Sequence, residues 1–293
     1  MSVTDHTVSS AAVHTSGPNG AIVSLLNPFN MIRTLYRHRN LIRKLTHREV
    51  VARYRESYLG LVWSVLTPLL MLGIYAFVFL TIFQARTGAG PNGGKAEFVL
   101  NLFCGLTLFN VFGTCVGKSP RLILTRQNLV KQVIFPLEVL PFTVLGAALV
   151  DGAISFVLLV GASCIFAQHI SATMLLFPLV LIPLCALILG CTWLISSIGV
   201  FLRDLEQFVQ TALRFLFFAS PVLYSVEMLP AHLRWVMYLN PLTPILEGGK
   251  ATLVNCKQPE WLPLAAVTVA ALALMQLGYA WFMKTKGAFV DVM

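Results

Sequence analysis

The sequence predicts an all-α integral membrane protein with six transmembrane helices, an amphipathic helix near the N-terminus and short external helices between the fifth and sixth spans. Hydrophobic residues make up 57% of the chain and charged residues only 11%, whereas an ordinary soluble domain carries about a quarter charged residues. The first long apolar run extends from Leu61 to Phe83 and contains no charged residue. As a helix it would reach about 35 Å, which is enough to cross a hydrocarbon core of about 30 Å.

The distribution of Lys and Arg predicts how the spans are oriented. Eight basic residues lie just before the first span: Arg33, Arg37, Arg39, Arg43, Lys44, Arg48, Arg53 and Arg55. Of the 21 Lys and Arg residues, fifteen fall in predicted cytoplasmic segments and five in external ones, so the positive-inside rule places both termini in the cytoplasm. The formal net charge of +9 does not indicate a nucleic-acid partner, because the basic residues lie beside apolar runs and no recognition motif accompanies them.

The N-terminal part of the chain precedes the membrane domain. Residues 1–28 are rich in small polar residues and are predicted to form a disordered tail. Residues 29–57 form a cytoplasmic segment, in which Phe29 to Val50 is predicted to be an amphipathic helix with apolar residues on one face and cations on the other. This pattern suits the lipid surface of a membrane, and it is compatible with docking to a partner.

The membrane domain occupies residues 58–293. Six spans are predicted, at about 61–83, 98–116, 139–166, 174–202, 208–224 and 262–283. Between the second and third spans, Lys118 to Glu138 is a basic cytoplasmic loop with a short helix that starts near Ser119. Ser225 to Trp261 is too apolar for a solvated loop and too broken by proline to cross the membrane. It is predicted to form two short helices at the outer interface, Ala231 to Leu239 and Pro244 to Val254.

Two charged residues fall inside predicted spans. Asp151 lies about 18 Å into the third span, close to the middle of the bilayer, and Arg214 lies about 9 Å into the fifth. Asp151 belongs either to a polar pathway or to a buried hydrogen bond with a neighbouring helix, and the sequence leaves both open. Arg214 can snorkel to the cytoplasmic surface, and the opposite charges suggest as a further hypothesis that Asp151 and Arg214 form a pair.

The sequence offers no site for a nucleotide or a metal in this chain. The nearest match to a phosphate-binding loop, Gly113 to Ser119, has three residues where the pattern requires four and follows a membrane helix instead of a strand. Asp204 and Glu206 resemble the paired carboxylates of a metal-dependent glycosyltransferase. Their position beside Arg203, with no histidine nearby, favours an ion pair at a helix end.

Four segments resemble the membrane subunits of ABC polysaccharide exporters, the type-2 exporters of O-antigen and teichoic acid. They are REVVARYRESYLGLVWSVLTPLLM (Arg48 to Met71), NLVKQVIFPLEVLP (Asn128 to Pro141), FLRDLEQFVQTALRFLFFASPVLYS (Phe201 to Ser225) and LNPLTPILEG (Leu239 to Gly248). The resemblance covers about Thr46 to Met283, in the order of the family. It implies a homodimer around a pore in the cell inner membrane, with two separate ATPase subunits that bind ATP and Mg. It also implies that the exported glycan is carried on a polyprenyl diphosphate lipid.

The resemblance assigns roles to several residues. The loop after the second span is similar to the family's coupling helix, which docks on the ATPase; its candidate residues are Ser119, Arg121, Arg126, Asn128, Lys131 and Phe135. The helices between spans five and six resemble the external gate, with Trp235, Tyr238 and Pro241 as candidates. Arg53 and Arg55 are candidates for contacting the lipid diphosphate, because guanidinium groups suit phosphate oxygens. Beside them at the cytoplasmic gate, Tyr54 and Tyr58 offer flat faces to sugar rings.

Two alternative functions remain open at this point. One is a membrane-embedded glycosyltransferase or acyltransferase that acts on lipid-linked sugars, with Asp204 and Glu206 as its carboxylates. The other is an ABC exporter of a drug or a lipid with the same fold. Co-purification with an ATPase would favour a transport subunit over an enzyme.

Overall fold

The computed structural model describes residues 28–55, 62–78, 81, 94–127, 135–166, 172–202 and 204–289. These residues form α-helices joined by turns and short 3₁₀ segments. The helices are α1 (Pro28–Arg37), α2 (Arg39–Arg55), α3 (Val62–Phe77), α4 (Lys95–Lys118), α5 (Leu140–Phe166), α6 (Phe177–Gly199), α7 (Leu205–Ala219), α8 (Ala231–Tyr238), α9 (Leu242–Leu253) and α10 (Trp261–Thr285). The all-helical class predicted from composition is confirmed.

Four stretches in the described part of the chain are long and apolar enough to cross a membrane. They contain α4, α5, α6 and α10 and run over Ala96–Arg121, Leu137–Cys164, Ala172–Gly199 and Trp261–Ala288. They correspond to the predicted second, third, fourth and sixth spans. The helices in place of the predicted first and fifth spans, α3 and α7, have 16 and 15 described residues. At about 1.5 Å per residue they reach only about 23 Å, so they are too short to confirm those two spans.

Several predicted boundaries differ from the observed ones. The amphipathic helix is divided near His38 into α1 and α2, which continue to Arg55. The fifth predicted span ends at Ala219 instead of residue 224 because Ser220, which precedes a proline, adopts an extended conformation with φ −103° and ψ 149°. The loop after α4 begins as two 3₁₀ turns, Ser119–Arg121 and Leu124–Arg126, instead of the single short helix that was predicted.

The two short helices predicted before the last span are present as α8 and α9, but α9 does not lie at the surface. Ten of its twelve residues are buried, and it packs against α4 and α6. A methyl group added at Gly249 would overlap the side chain of Leu108 on α4, which shows how closely α9 approaches that helix. The sequence did not predict that other helices enclose α9, because proline and glycine disrupt its apolar pattern without exposing it.

The most extensive helix contact joins α6 to α10, and two glycines permit it. A Cβ atom at Gly278 would lie 2.5 Å from the carbonyl oxygen of Gly190, and a Cβ atom at Gly190 would lie 2.8 Å from the backbone of Leu274. The backbones are thus nearly in contact, as in the small-residue interfaces of membrane helices. Beside this contact, the buried Trp193 ring packs edge-on against Tyr279, with a centroid distance of 5.2 Å.

A buried ion pair ties the end of α10 to the start of α5. The Nζ of Lys286 donates to Oε2 of Glu138 at 2.6 Å, and Glu138 is only 6% exposed. The indole nitrogen of Trp193 also donates to the main-chain oxygen of Glu138 at 3.3 Å. These bonds satisfy polar groups where α5, α6 and α10 come together.

The glycine contact yields a prediction about stability. Gly190→Ala and Gly278→Ala should each lower the free energy of unfolding by about 1–3 kcal/mol, because the added methyl group meets backbone that cannot move aside. Gly73→Ala is the matched control, since a Cβ atom at this helical glycine meets nothing within 4 Å and gains the same helix propensity. Thermal unfolding in detergent measures the three variants. Equal melting temperatures for all three would contradict the prediction.

Candidate functional site

The loop that follows α4 is packed tightly against the helices where it starts. Ser119 is fully buried, and its hydroxyl donates to the carbonyl oxygen of Cys115 at 2.8 Å. Pro120 lies against the backbone of Gly199 at the end of α6, where a Cβ atom would overlap its carbonyl oxygen. This part of the loop is therefore a fixed extension of α4. A displacement of the loop must move α4 or α6 with it.

Three ion pairs connect this loop and the last residue of α4 to the neighbouring helices α2 and α7. Glu49 on α2 binds Arg126 at 2.6 Å and Lys118 at 3.5 Å. Glu206, in the first turn of α7, forms an ion pair with Arg121. Because Arg126 is only 17% exposed, its pair with Glu49 is less screened by solvent than a surface pair would be. The charged end of the bundle defined by Glu49, Lys118, Arg121, Arg126 and Glu206 is called the Glu49 end below.

The predicted site residues of this loop have different environments. Ser119 is buried, whereas Arg121 is 65% exposed and presents part of its guanidinium to the outside. Phe135 is half-buried and packs against the core. Asn128 and Lys131 lie outside the described residues. The role of these residues in ATPase docking stays a prediction.

A cavity of about 780 Å³ opens at the Glu49 end. Its charged lining includes Glu49, Lys118, Arg121, Arg126, Glu206 and Arg214, so cations outnumber carboxylates by four to two. Arg214 is exposed and is available to an anion in this cavity. Deeper in, the lining changes to Phe109, Asn110, Thr114 and Phe217. A ligand with an anionic head and a less polar body matches this gradient in polarity.

A second cavity of about 580 Å³ lies between α3, α4 and α5 and contains Asp151. Its lining is rich in neutral hydrogen-bonding groups: Ser64, Thr67, Tyr75, Thr107, Asn110, Thr114 and Ser155. Asn110, Thr114 and Phe217 line both cavities, so the two adjoin. Asp151 is half-buried on the second cavity, whereas Arg214 lines only the first. The structure does not pair these two residues, although it places them on two adjoining cavities.

The residues predicted to contact the carrier lipid lie at the end of α2. Arg53, Tyr54 and Arg55 form the last residues of that helix, and Tyr58 lies outside the described residues. The sequence left Arg214 open between a pair with Asp151 and a side chain that reaches the cytoplasmic end, and the structure places it in the lining of the cavity at the Glu49 end. The spacing of Glu206, Gln210 and Arg214 on one face of α7 was a signal that could have shown it.

Glu206 also bears on the glycosyltransferase alternative. Its carboxylate forms an ion pair with Arg121, and Asp204 is exposed just before α7. Within the described residues, no group of three or more His, Cys, Asp or Glu side chains has the arrangement of a metal site. The expected ion pair at this helix end is therefore present for Glu206, with Arg121 as its partner.

The candidate gate residues lie at the opposite end of the bundle. Trp235 is 65% exposed on α8, and Pro241 is exposed at the start of α9. The Tyr238 hydroxyl donates to Oε2 of Glu260 at 3.1 Å. Burial, followed by the negative charge of Glu260, raises the pKa of Tyr238 to about 12. The hydroxyl therefore stays protonated and keeps donating at physiological pH.

A third cavity, of about 380 Å³, lies beside these residues. Its lining includes Asn101, Tyr224, Tyr238, Glu247, Lys250 and Glu260. Lys250 is 3% exposed, although the sequence placed it in an external segment. It forms an ion pair with Glu247 at 3.2 Å. The spacing of three residues between the two in a helix could have indicated this pair from the sequence. This end of the bundle is called the Lys250 end.

Comparison with known proteins agrees with this architecture. The family model described as ABC-2 type transporter matches residues 40–254. An O-antigen export system permease protein RfbA from Myxococcus xanthus is 29% identical over 263 residues, which cover 89% of this chain and 98% of the relative. Two proteins of the same name from Klebsiella pneumoniae are 24% and 25% identical, each covering 87% of this chain and 95% of the relative.

The family match extends from α2 to the end of α9 and so includes the two adjoining cavities, the Glu49 end and Lys250. In this family the ATPase is a separate partner, which agrees with the lack of a phosphate-binding loop in the sequence. Because the match covers more than half of the chain, the chain belongs to the ABC-2 type transporter family and is a membrane transport subunit.

Proposed function

We propose that this chain is the channel-forming membrane subunit of an ATP-driven exporter that moves O-antigen, or a similar glycan on a polyprenyl diphosphate lipid, out of the cytoplasm. The observation that carries the proposal is the likeness to O-antigen export permeases from two organisms along nearly their whole lengths. The adjoining polar cavities support it, since an export route for sugars needs neutral hydrogen-bonding groups at membrane depth.

The proposed assembly is a homodimer in the inner membrane with two ATPase subunits, which bind ATP and Mg. The Glu49 end faces the cytoplasm and both termini lie there, because most of the basic residues belong to that side. Helices α3 and α7 contribute to the first and fifth of six spans. Large exposed side chains on α7, namely Phe208, Phe215 and Phe218, then face lipid or the second copy of the chain.

The proposed substrate route begins in the cavity at the Glu49 end. Cations such as Arg214, together with Arg53 and Arg55 at the end of α2, hold the diphosphate through charge-assisted hydrogen bonds. The sugars follow the neutral hydroxyl and amide groups around Asp151, where no single contact is strong enough to stop a moving chain. Trp235, Tyr238 and Pro241 belong to the gate at the far end. The chain itself breaks and forms no covalent bond.

The proposed drive comes from the ATPase through the loop after α4. Closure of two ATPase subunits would displace the loop, and its ion pairs would transmit this motion to α2 through Glu49 and to α7 through Glu206. Exposed Arg121 is suited to contact the ATPase while it holds Glu206.

The proposed function predicts the phenotype of a strain that lacks this chain. Surface O-antigen should disappear, and lipid-linked glycan should accumulate on the cytoplasmic side, because synthesis continues without export. Immunoblotting of surface glycan and extraction of polyprenyl-linked polymer measure the two effects, and a plasmid copy of the chain should reverse both. Loss of the polymer itself, without accumulation, would instead support the glycosyltransferase alternative.

The cation-lined cavity predicts a specific loss of lipid binding. Arg214→Gln should reduce binding of a polyprenyl diphosphate to the purified permease by about tenfold, which corresponds to one charge-assisted contact of about 1.4 kcal/mol. Arg43→Gln is the control, because Arg43 is an exposed arginine on α2 that does not line the cavity. Native mass spectrometry measures bound lipid. Equal binding by both variants would rule out Arg214 as a diphosphate contact.

The ion pairs of Glu49 predict a defect in coupling. Glu49→Gln removes the negative charge shared by Lys118 and Arg126, so ATP hydrolysis should continue while glycan export falls by several-fold. Asp204→Asn is the control because Asp204 is an exposed carboxylate at the same end and forms none of the described ion pairs. Export per ATP hydrolysed, measured in membrane vesicles, separates the two variants. An unchanged ratio in Glu49→Gln would contradict this role.

A further inference from the structure

Lys250 occupies an unusual position for a lysine in a membrane protein. Its side chain is 4% exposed within the buried helix α9. The ammonium group donates to three acceptors: the carbonyl oxygen of Pro221, the carbonyl oxygen of Tyr224 at 2.9 Å and the carboxylate of Glu247 at 3.2 Å. All three donor positions of the ammonium are therefore used.

The two carbonyl acceptors belong to the turn that follows α7. After Ala219 the chain leaves the helix, so the carbonyl groups of this turn lose their helical partners and need others inside the protein. Lys250 donates hydrogen bonds to two of these carbonyl groups. Asn240, just before α9, supplies further bonds, because its Nδ2 donates to Oγ of Ser220 at 2.8 Å and to the carbonyl oxygen of Ala219 at 3.3 Å.

The same turn also rests on α4. A Cβ atom at Gly105 would lie 3.0 Å from the carbonyl oxygen of Val222 and 3.3 Å from Cε of Lys250. The glycine thus lets the turn and the lysine side chain approach the α4 backbone. Burying an ammonium group is costly, but an apolar residue in its place would leave two main-chain carbonyl groups and Glu247 without this donor. The arrangement is therefore built around the cation and is not incidental packing.

The other end of α7 is tied to the loop after α4. Glu206 pairs with Arg121, and one turn further on, Nε2 of Gln210 donates to the carbonyl oxygen of Gly117 at 3.2 Å. Helix α7 has 15 residues and is about 22 Å long. It is thus a short rigid element that is bonded to the loop at one end and to α9 at the other.

We propose that Lys250 is a positioning residue for transport, which joins α7 to α9 so that the two helices move together. This inference rests on the proposed export function. A displacement of the loop then passes through Glu206 and along α7 to the turn, and Lys250 carries it into α9. Because Tyr224, Glu247 and Lys250 line the third cavity, the motion reaches the cavity at the Lys250 end.

The first test replaces the cation with an apolar residue of similar length. Lys250→Met in the complex with its ATPase should lower glycan export at least tenfold, while the complex still assembles and hydrolyses ATP. The wild-type chain must first restore export to the deletion strain. If it does not, the proposed function fails, whereas normal export by Lys250→Met beside an active wild type overturns only the inference about Lys250.

A double-mutant cycle distinguishes a transmitted motion from two local structural defects. Arg121→Gln breaks the bond at one end of α7, and Lys250→Met breaks the bonds at the other. Effects at two separated and independent sites add, so additive losses in export would overturn the proposal. If both residues transmit the same motion, the loss of either one already interrupts it. The double variant should then export about as much as the worse single variant.

A second substitution keeps the test decisive if Lys250→Met does not fold. Gly105→Ala retains the cation but pushes a methyl group against Val222 and Lys250, so it should lower export several-fold without lowering ATP hydrolysis. Gly161→Ala is its matched control, because a Cβ atom at this glycine of α5 meets nothing within 4 Å. Equal export by the two glycine variants, at equal amounts of folded protein, would overturn the proposal.

Discussion

The requirement that main-chain polar groups buried away from water find partners inside the protein governs this structure. Hydrocarbon offers no hydrogen bonds, so an unpaired main-chain carbonyl there costs several kcal/mol. Helices satisfy their own backbone, but the chain between α7 and α8 is not helical. Lys250 and Asn240 supply donors to that turn from the neighbouring segment. One consequence is that α9 must be buried, since its lysine reaches the turn only from within the bundle.

Close backbone contacts complement these polar bonds. Lipid is as apolar as a leucine side chain, so burying apolar surface contributes little to association between membrane helices. Tight packing replaces it where glycines remove the side chain: Gly190 and Gly278 between α6 and α10, Gly199 against Pro120, and Gly249 against Leu108. The ion pair of Glu138 with Lys286 then fixes the relative height of α5 and α10. Glycines thus set the spacing of the helices, and charges set their register.

The sequence predicts those features that depend on local composition. The uncharged runs predict the positions of α4, α5, α6 and α10 to within a few residues, because the thickness of the membrane sets the length that such a run must have. The predicted end of the fifth span lies five residues beyond the observed end of α7, because the apolar pattern of the sequence continues past Pro221. The burial of α9 was missed because hydropathy does not distinguish a helix buried in protein from one at an interface. Glu49 and Arg126 are 77 positions apart, and no local pattern indicates such a pair.

In the candidate site, too, the sequence predicts local features but not contacts between residues that are distant in the chain. Asp151 and Arg214 stood out individually as charges within apolar runs, and the structure places both on polar cavities. What the sequence did not reveal is that Asn110 and Thr114 on α4 connect the two cavities, because that depends on how α4, α5 and α7 surround the space. Cations are concentrated where the lining meets the Glu49 end, and neutral hydroxyl and amide groups are interspersed among apolar side chains further in. In the proposed exporter this order has a physical reason. A charged head group needs strong contacts to be captured, whereas a long glycan must pass many contacts in succession, and each of these has to be weak enough to break within the motion of a single ATP cycle.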